Sequence, residues 1–323
     1  MHSLIGRSLF SVIALLFLFS VSVDLFAEGA APTRVVLGTA TKGGGFQLFG
    51  QNLAEVINAQ DGALQIEAMA TRGSKQNLAL LEAGKIDIGQ VEGNAARQAL
   101  EGIGRDRAEL KVLAVMYPNP GMFVVRADSP YRSIDDLKGK PIAFGTQASG
   151  LRILAGDVLE ALGLKPERDF QPIILDKAGD GPWLVLEKKA EALWGAGIGW
   201  PGFVKVANAP AGGRFIAPDA EQLKLILEKQ PHLKSMSVPA GTYKGQTQAI
   251  ESVGLWSLIL IRPETPDDIA YQLARAMHRG EAALAARLEQ GAYTTAANTV
   301  AQVPVAQLHP GAVRYYRELG LLR

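Results

Sequence analysis

Two stretches of this chain carry the residue types from which a ligand site is built. Thr39, Thr41 and Lys42 run into Gly43-Gly44-Gly45 and Phe46, so hydroxyls, an ammonium and bare peptide units fall together. Exposed N–H groups in such a loop, followed by a helix N-terminus, suit an anion. Phosphate is the first candidate, and the spacing argues against it. A Walker loop needs Gly, four residues, then Gly-Lys-Ser/Thr. Gly38 and Gly43 have that separation, but Gly44-Gly45 follow and Lys42 lies on the wrong side. A dinucleotide fingerprint starting at Gly43 would require glycine where Leu48 stands. The second stretch, Gly145-Thr146-Gln147-Ala148-Ser149-Gly150, is another small-residue loop, with Arg152 just beyond it.

Covalent and metal chemistry find no support in residue types. The chain has no cysteine, which removes thiol nucleophiles, Cys-ligated metals and disulfides. No G-x-S-x-G elbow occurs, and Ser74 and Ser149 lie in loops where no motif supplies a base. His232, His278 and His309 are scattered, with no HExxH or clustered carboxylates to suggest a metal. His278 lies among arginines and reads as solvated; His309-Pro310-Gly311 reads as a turn before the last helix. Asp135-Asp136 and Asp267-Asp268 stand at helix starts, where carboxylates favour the dipole. The expectation is a binding site with no catalytic residue, no metal and no cofactor.

Short β-rich runs alternating with helical segments must position these loops. Val35-Val36-Leu37 is a strand, and Phe46, Phe49, Leu53, Val56 and Ile57 recur at helical spacing after the glycines. Leu64–Ala70 is a second strand, turning at Thr71-Arg72-Gly73 into a helix with Ser74 as N-cap. Ile86–Val91 is a third, ending at Glu92-Gly93-Asn94, and Val112–Met116 a fourth, ending at Tyr117-Pro118. Strand Pro141–Phe144, the second small-residue loop and helix Leu151–Leu162 repeat the first unit. Val253–Ile261 reads as a single apolar strand, and the chain from Pro266 onward as helical. Ligands bind at the carboxyl ends of strands in open α/β sheets, where all these loops lie. Two matched units predict two α/β domains facing each other across a cleft.

Length and charge bound the function class. The 323 residues can bury two domain cores. A formal charge of +1 with no basic stripe excludes nucleic acid as a partner. His2 and Arg7 precede an apolar run from Leu9 to Val23, too short for a membrane helix of about 20 residues and fitting a secretory signal peptide. Cleavage after Ala27 is expected, an uncleaved anchor being the other reading, and the periplasm is the expected compartment.

These pieces resemble, in order, the TAXI-type solute receptors of TRAP (tripartite ATP-independent periplasmic) transporters. GTATKGGGFQLFG is similar to that family's GTGGTGGTYYPLG, TRGSKQNLALLEAGKIDIGQVEGN to TGGSVENLRLLASGEADLGFVQSD, and SIDDLKGKPIAFGTQASGLR to SLKDLKGKRVSVGAPGSGTR. VPAGTYKGQ and LHPGAVRYYRELGL match its late segments, so the resemblance runs from about Arg34 to Leu322. It implies a two-domain periplasmic binding protein of type II that captures a small organic acid or amino acid and delivers it, unchanged, to a membrane permease. Domain 1 would comprise residues 33–125 and 256–323, and domain 2 residues 126–255. By position, the implied pocket holds Thr39, Thr41, Lys42, Gly43, Gly44, Gly45, Phe46, Ser74, Asn77, Glu92, Asn94, Tyr117, Thr146, Ser149 and Gly150, and Arg72 and Arg152 lie beside it. Lys42 replaces a usual Thr and Arg72 a usual Gly, which points to an anionic rather than a zwitterionic ligand. The alternatives are the binding component of an ABC importer, which shares this plan, and an exported hydrolase using the same cleft.

Overall fold

The computed structural model describes residues 31–60 and 62–323; the expected signal segment lies outside them. The chain opens with β1 (Thr33–Gly38), α1 (Gly45–Gln60), β2 (Leu64–Met69), α2 (Ser74–Glu82), β3 (Ile88–Val91), α3 (Gly93–Glu101) and β4 (Lys111–Pro118). There follow β5 (Gly121–Arg126), β6 (Pro141–Thr146), α4 (Leu151–Ala161), α5 (Pro166–Asp169), β7 (Gln171–Leu175), α6 (Gly181–Leu186), β8 (Ala192–Ala196), α7 (Pro201–Asn208), β9 (Gly213–Ile216) and α8 (Ala220–Lys229). The last part comprises β10 (Lys234–Val238), β11 (Ile250–Gly254), β12 (Trp256–Ile261), α9 (Asp267–Arg279), α10 (Glu281–Arg287), α11 (Ala296–Gln302) and α12 (Pro310–Glu318). No helix among the described residues is long and apolar enough to cross a membrane.

The strands form two sheets built to one plan. The first runs β2-β1-β3-β12-β4 and the second β7-β6-β8-β5-β9. In each, the first three strands are parallel and the fourth, β12 or β5, is antiparallel to its neighbours. That fourth strand is the one the chain enters on crossing from the other lobe: β5 follows β4, and β12 follows β11. Strand Gly121–Arg126 therefore belongs wholly to the second sheet, and the first crossing is the Asn119-Pro120 step between Pro118 and Gly121. β10 and β11 pair as a separate antiparallel ribbon.

The return crossing differs from the single strand expected over Val253–Ile261. The run breaks at Leu255, because Asn119 is wedged against it. The Asn119 N–H and Nδ2 both donate to the Leu255 carbonyl, at 3.1 Å each, and Nδ2 also donates to Ser257 Oγ at 2.7 Å. A side chain at Gly254 would sit 1.9 Å from the Asn119 carbonyl oxygen, so only glycine allows the two crossings this close. Apolar patterning registers the hydrophobic run but carries no trace of this tertiary contact.

Each sheet has its own core. Leu37, Phe49, Leu53, Ile57, Leu81, Val115 and Tyr316 are buried around the first. Phe123, Phe144, Leu154, Val158 and Trp194 pack on one face of the second, and Val124, Val185, Leu193 and Phe203 on the other. Helices α9 to α12 cover the first sheet; the Tyr316 hydroxyl donates to the Leu113 carbonyl at 2.9 Å. His278, expected to be solvated, is buried there. Its Nδ1 lies 2.8 Å from Glu281 Oε1 and its Nε2 3.0 Å from the Tyr316 hydroxyl, which makes it a core polar residue. His309 does begin the last helix: its Nδ1 accepts from the Gly311 N–H at 3.2 Å.

Candidate functional site

The loops at the carboxyl ends of β1, β2, β3 and β4 face those after β6, β7 and β8, and a cavity lies between them. About 60 Å³ of it is open to the centre of a water molecule, room for several waters or one small solute at ~10–15 Å³ per water. From the first lobe its walls take Thr41, Gly44, Gly45, Phe46, Arg72, Ser74, Glu92 and Tyr117; from the second, Thr146, Ser149 and Gly150. All of these were expected at the site. Ala40, Gly73, Asn119, Gly145, Leu151, Leu175, Ala178, Leu193, Trp194, Ala196 and Trp200 complete the lining and were not.

The lobes touch directly on two sides of the cavity. On one side the Ala178 N–H donates to Thr41 Oγ1 at 3.0 Å and the Gly179 N–H to the Lys42 carbonyl at 3.3 Å. On the other the Lys75 N–H donates to the Ala148 carbonyl at 3.2 Å, and the Thr146 hydroxyl to the Arg72 carbonyl at 3.3 Å. The glycines of both loops are spaced for this contact. Gly43 combines a φ of +80° with an approach that would put a Cβ 2.6 Å from Gly179 Cα. A Cβ on Gly45 would meet the Trp200 ring at 2.7 Å, and one on Gly150 would meet Glu92 Cβ at 2.5 Å. The glycine run therefore seats the second lobe rather than presenting an open anion cradle. Two of its three N–H groups are already in use: that of Gly43 donates to Gln47 Oε1 at 3.3 Å and that of Gly44 to the Thr41 carbonyl at 3.1 Å.

The remaining expected residues stand outside the lining. Lys42 is exposed, and only its carbonyl joins the lobe contact; Gly43 beside it serves the approach already described. Arg152 is engaged on its own lobe, with Nη1 donating to Gln147 Oε1 at 2.6 Å and Nη2 3.6 Å from Glu167. Asn77 is fully buried and staples the ends of β1 and β3, its Nδ2 donating to the carbonyls of Gly38, Thr39 and Gln90 at 3.2, 2.7 and 2.8 Å. The Thr39 hydroxyl donates to the Met69 carbonyl at 2.9 Å. These two polar side chains fix the loop platform from behind. Ser74 is the first residue of α2 rather than its cap, because Gly73 takes the cap with a φ of 114°. That frees the Ser74 hydroxyl to accept from the Glu92 N–H at 3.0 Å, tying two pocket loops together.

Glu92 is the chemically distinctive group. It caps α3, with Oε2 accepting from the N–H groups of Asn94 and Ala95 at 3.0 and 3.3 Å, while Oε1 accepts from Asn94 Nδ2 at 3.0 Å. Asn94 thus serves the carboxylate from behind and does not line the cavity. Burial pushes the Glu92 carboxyl up to about 7 against the pull of those hydrogen bonds, and the field of Asp157 adds a little. Aromatic rings surround the rest of the space. Tyr117 lies 6.4 Å from Phe46 edge-on and 5.3 Å from Phe49. Trp194 is fixed by its Nε1–H donating to the Leu151 carbonyl at 2.8 Å.

Two five-stranded mixed sheets flanked by helices, each entered by an antiparallel crossing strand, define the type II periplasmic-binding-protein fold. The chain belongs to the NMT1-like family, whose model matches residues 37–320. Among solved structures it is similar to a periplasmic transporter protein at 12% identity, covering 91% of this chain and 94% of that one with a TM-score of 0.58. It is also similar to the alkanesulfonate-binding protein SsuA of Xanthomonas axonopodis pv. citri bound to MOPS, at 17% identity, 89% and 84% coverage and a TM-score of 0.52. A putative L-cystine ABC transporter protein of Listeria monocytogenes matches at 13% identity, 81% and 98% coverage and a TM-score of 0.51. At these identities the likeness speaks for the architecture alone.

Proposed function

We propose that this chain is an exported solute-binding receptor that encloses a small molecule between its lobes and presents it, chemically unchanged, to a membrane importer. The observation that carries this reading is the cavity itself. Both lobes wall it, and direct lobe-to-lobe hydrogen bonds flank it on two sides. A ligand held there touches both lobes only when they are together, so binding and closure are linked. The lobes meet through residues 33–118 and 256–323 on one side and 121–254 on the other. Small-angle scattering of the purified protein tests the link: solute that compacts the particle supports a receptor, and solute bound without compaction refutes closure.

The importer is proposed to be of the ABC type. The NMT1-like membership and the likeness to an ABC transporter protein favour it. Delivery to TRAP membrane subunits is the second reading, supported by the ordered TAXI-like segments from Arg34 to Leu322. Uptake assays with the chain paired with either kind of permease separate the two. A requirement for ATP hydrolysis selects the first, and uptake driven by an ion gradient alone selects the second.

A further inference from the structure

Resting on the receptor reading, the geometry points to a ligand that carries a protonated amine. We propose that Glu92 anchors that group while the ligand's apolar body lies among Trp200, Tyr117 and Phe46. The argument begins with an unbalanced charge. Glu92 is 1% exposed, lines the cavity, and has a hydrogen-bond shell made entirely of donors: two peptide N–H groups and an amide. Such a shell suits an ionised carboxylate. A buried carboxylate calls for a cation, and among the described residues no Lys or Arg side chain is bonded to Glu92.

The charged group whose field reaches Glu92 is Asp157 on α4, which is itself paired with His232 Nε2 at 3.2 Å and can only make the imbalance worse. Ser74 and Gly150, packed against Glu92 from α2 and the N-terminus of α4, carry no charge. Arg152, which the sequence suggested as a ligand cation, is held by Gln147 and Glu167. Arg72 lines the cavity but is exposed, so the one lining cation lies toward solvent while the buried charge is negative. An ammonium on the ligand supplies the missing partner. This reverses the sign of the ligand expected from Lys42, Arg72 and Arg152.

Proton linkage makes the inference testable. With the Glu92 carboxyl near 7 in the empty closed site, an ammonium must displace a proton to form the pair. Its affinity then rises about tenfold between pH 6 and pH 8, while an anion bound at Glu92 would show the opposite slope. The experiment is calorimetry and thermal shift with butylamine, piperidine and 4-aminobutyrate, each set against 1-butanol, tetrahydropyran and glutarate, on wild type and Glu92→Gln. Gln keeps the size and one capping oxygen, and the thermal stability of the free variant shows that it folds.

Amine binding that strengthens with pH in wild type, and falls at least tenfold in Glu92→Gln with the neutral probes unaffected, is the expected result. Equal amine affinity in both proteins, or binding of glutarate alone, overturns the amine anchor and leaves the receptor standing. Failure of every probe, with no compaction in scattering, overturns both.

Discussion

Replacing Glu92 by Gln should make the free protein more stable, and increasingly so as pH rises. In the folded chain the carboxyl is pushed up from 4.5 to about 7 by burial. The difference, 7 − 4.5 = 2.5 pH units, corresponds to about 3 kcal/mol at ~1.4 kcal/mol per unit. Below pH 4.5 both the folded and unfolded chains hold the proton, and the group carries no penalty. Between 4.5 and 7 the folded chain keeps a proton that the unfolded chain has released, so stability falls as pH rises. Above 7 the full penalty of the buried charge applies. Gln never ionises, keeps an oxygen for the Asn94 and Ala95 N–H groups, and removes this slope. The stability difference between variant and wild type should therefore grow by about 3 kcal/mol from pH 5 to pH 8, or about 6–12 °C in the melting of a lobe this size. Guanidinium titrations at pH 5, 6, 7 and 8 read it directly. His309, held down by its own burial, occurs in both proteins and cancels in the difference; Asp157 interacts with Glu92 and contributes only the small field already included in the raised Glu92 carboxyl. A difference that stays flat with pH, or shrinks, refutes the account of Glu92 as a carboxylate buried without a counter-charge.

Three further substitutions separate platform, contact and bystander. Asn77→Ala removes a donor shared by the buried carbonyls of Gly38, Thr39 and Gln90, of which Thr39 keeps the Thr71 hydroxyl, and should destabilise the first lobe by about 1–3 kcal/mol in chemical denaturation; no measurable loss would contradict the staple. Gly150→Val places atoms where Glu92 Cβ already stands 2.5 Å away. The φ of −64° at Gly150 accepts a side chain, so the lobes should fold normally but rest further apart. A radius of gyration equal to the wild type's would count against the contact. Lys42→Thr alters an exposed side chain outside the cavity lining and should leave the ranking of ligands in a thermal-shift panel unchanged.

Much of the lobe architecture was legible because it follows from local pattern. Helix α1 shows itself in Phe49, Leu53, Val56 and Ile57, which are all buried against the first sheet, and both small-residue loops end parallel strands as their spacing required. What could not be read was the direction in which a polar loop side chain points. Thr39 and Asn77 stand within three residues of Thr41 and Ser74 and are polar and uncharged like them. They turn inward because strand-end carbonyls behind the loops need donors, a demand visible only once the strands are side by side. Charge misled in the same way: Lys42 stands next to a lining residue and faces solvent. The wall formed by Asn119, Leu193 and Trp200 belongs to the crossing and to the opposite lobe, so no local motif could have placed it. One signal was present: glycines at 43, 44 and 45 exceed what a single turn needs. An excess of that kind marks a surface against which something else must close.

That closure is held by few bonds, which bears on how the receptor releases what it binds. The direct lobe-to-lobe hydrogen bonds made by Thr41, Lys42, Lys75 and Thr146 each contribute about 0.5–1.5 kcal/mol net, because water satisfies the same groups when the lobes part. Against them stand the lost freedom of the hinge and the burial of Glu92 beneath Gly150, which desolvates its carboxyl. A solute shifts the population only by what it adds to closed over open. An ammonium at Glu92 adds the most where the site is least satisfied. It neutralises a buried charge that opposes closure. The same imbalance that weakens the empty closed state is then the source of the ligand's leverage over it.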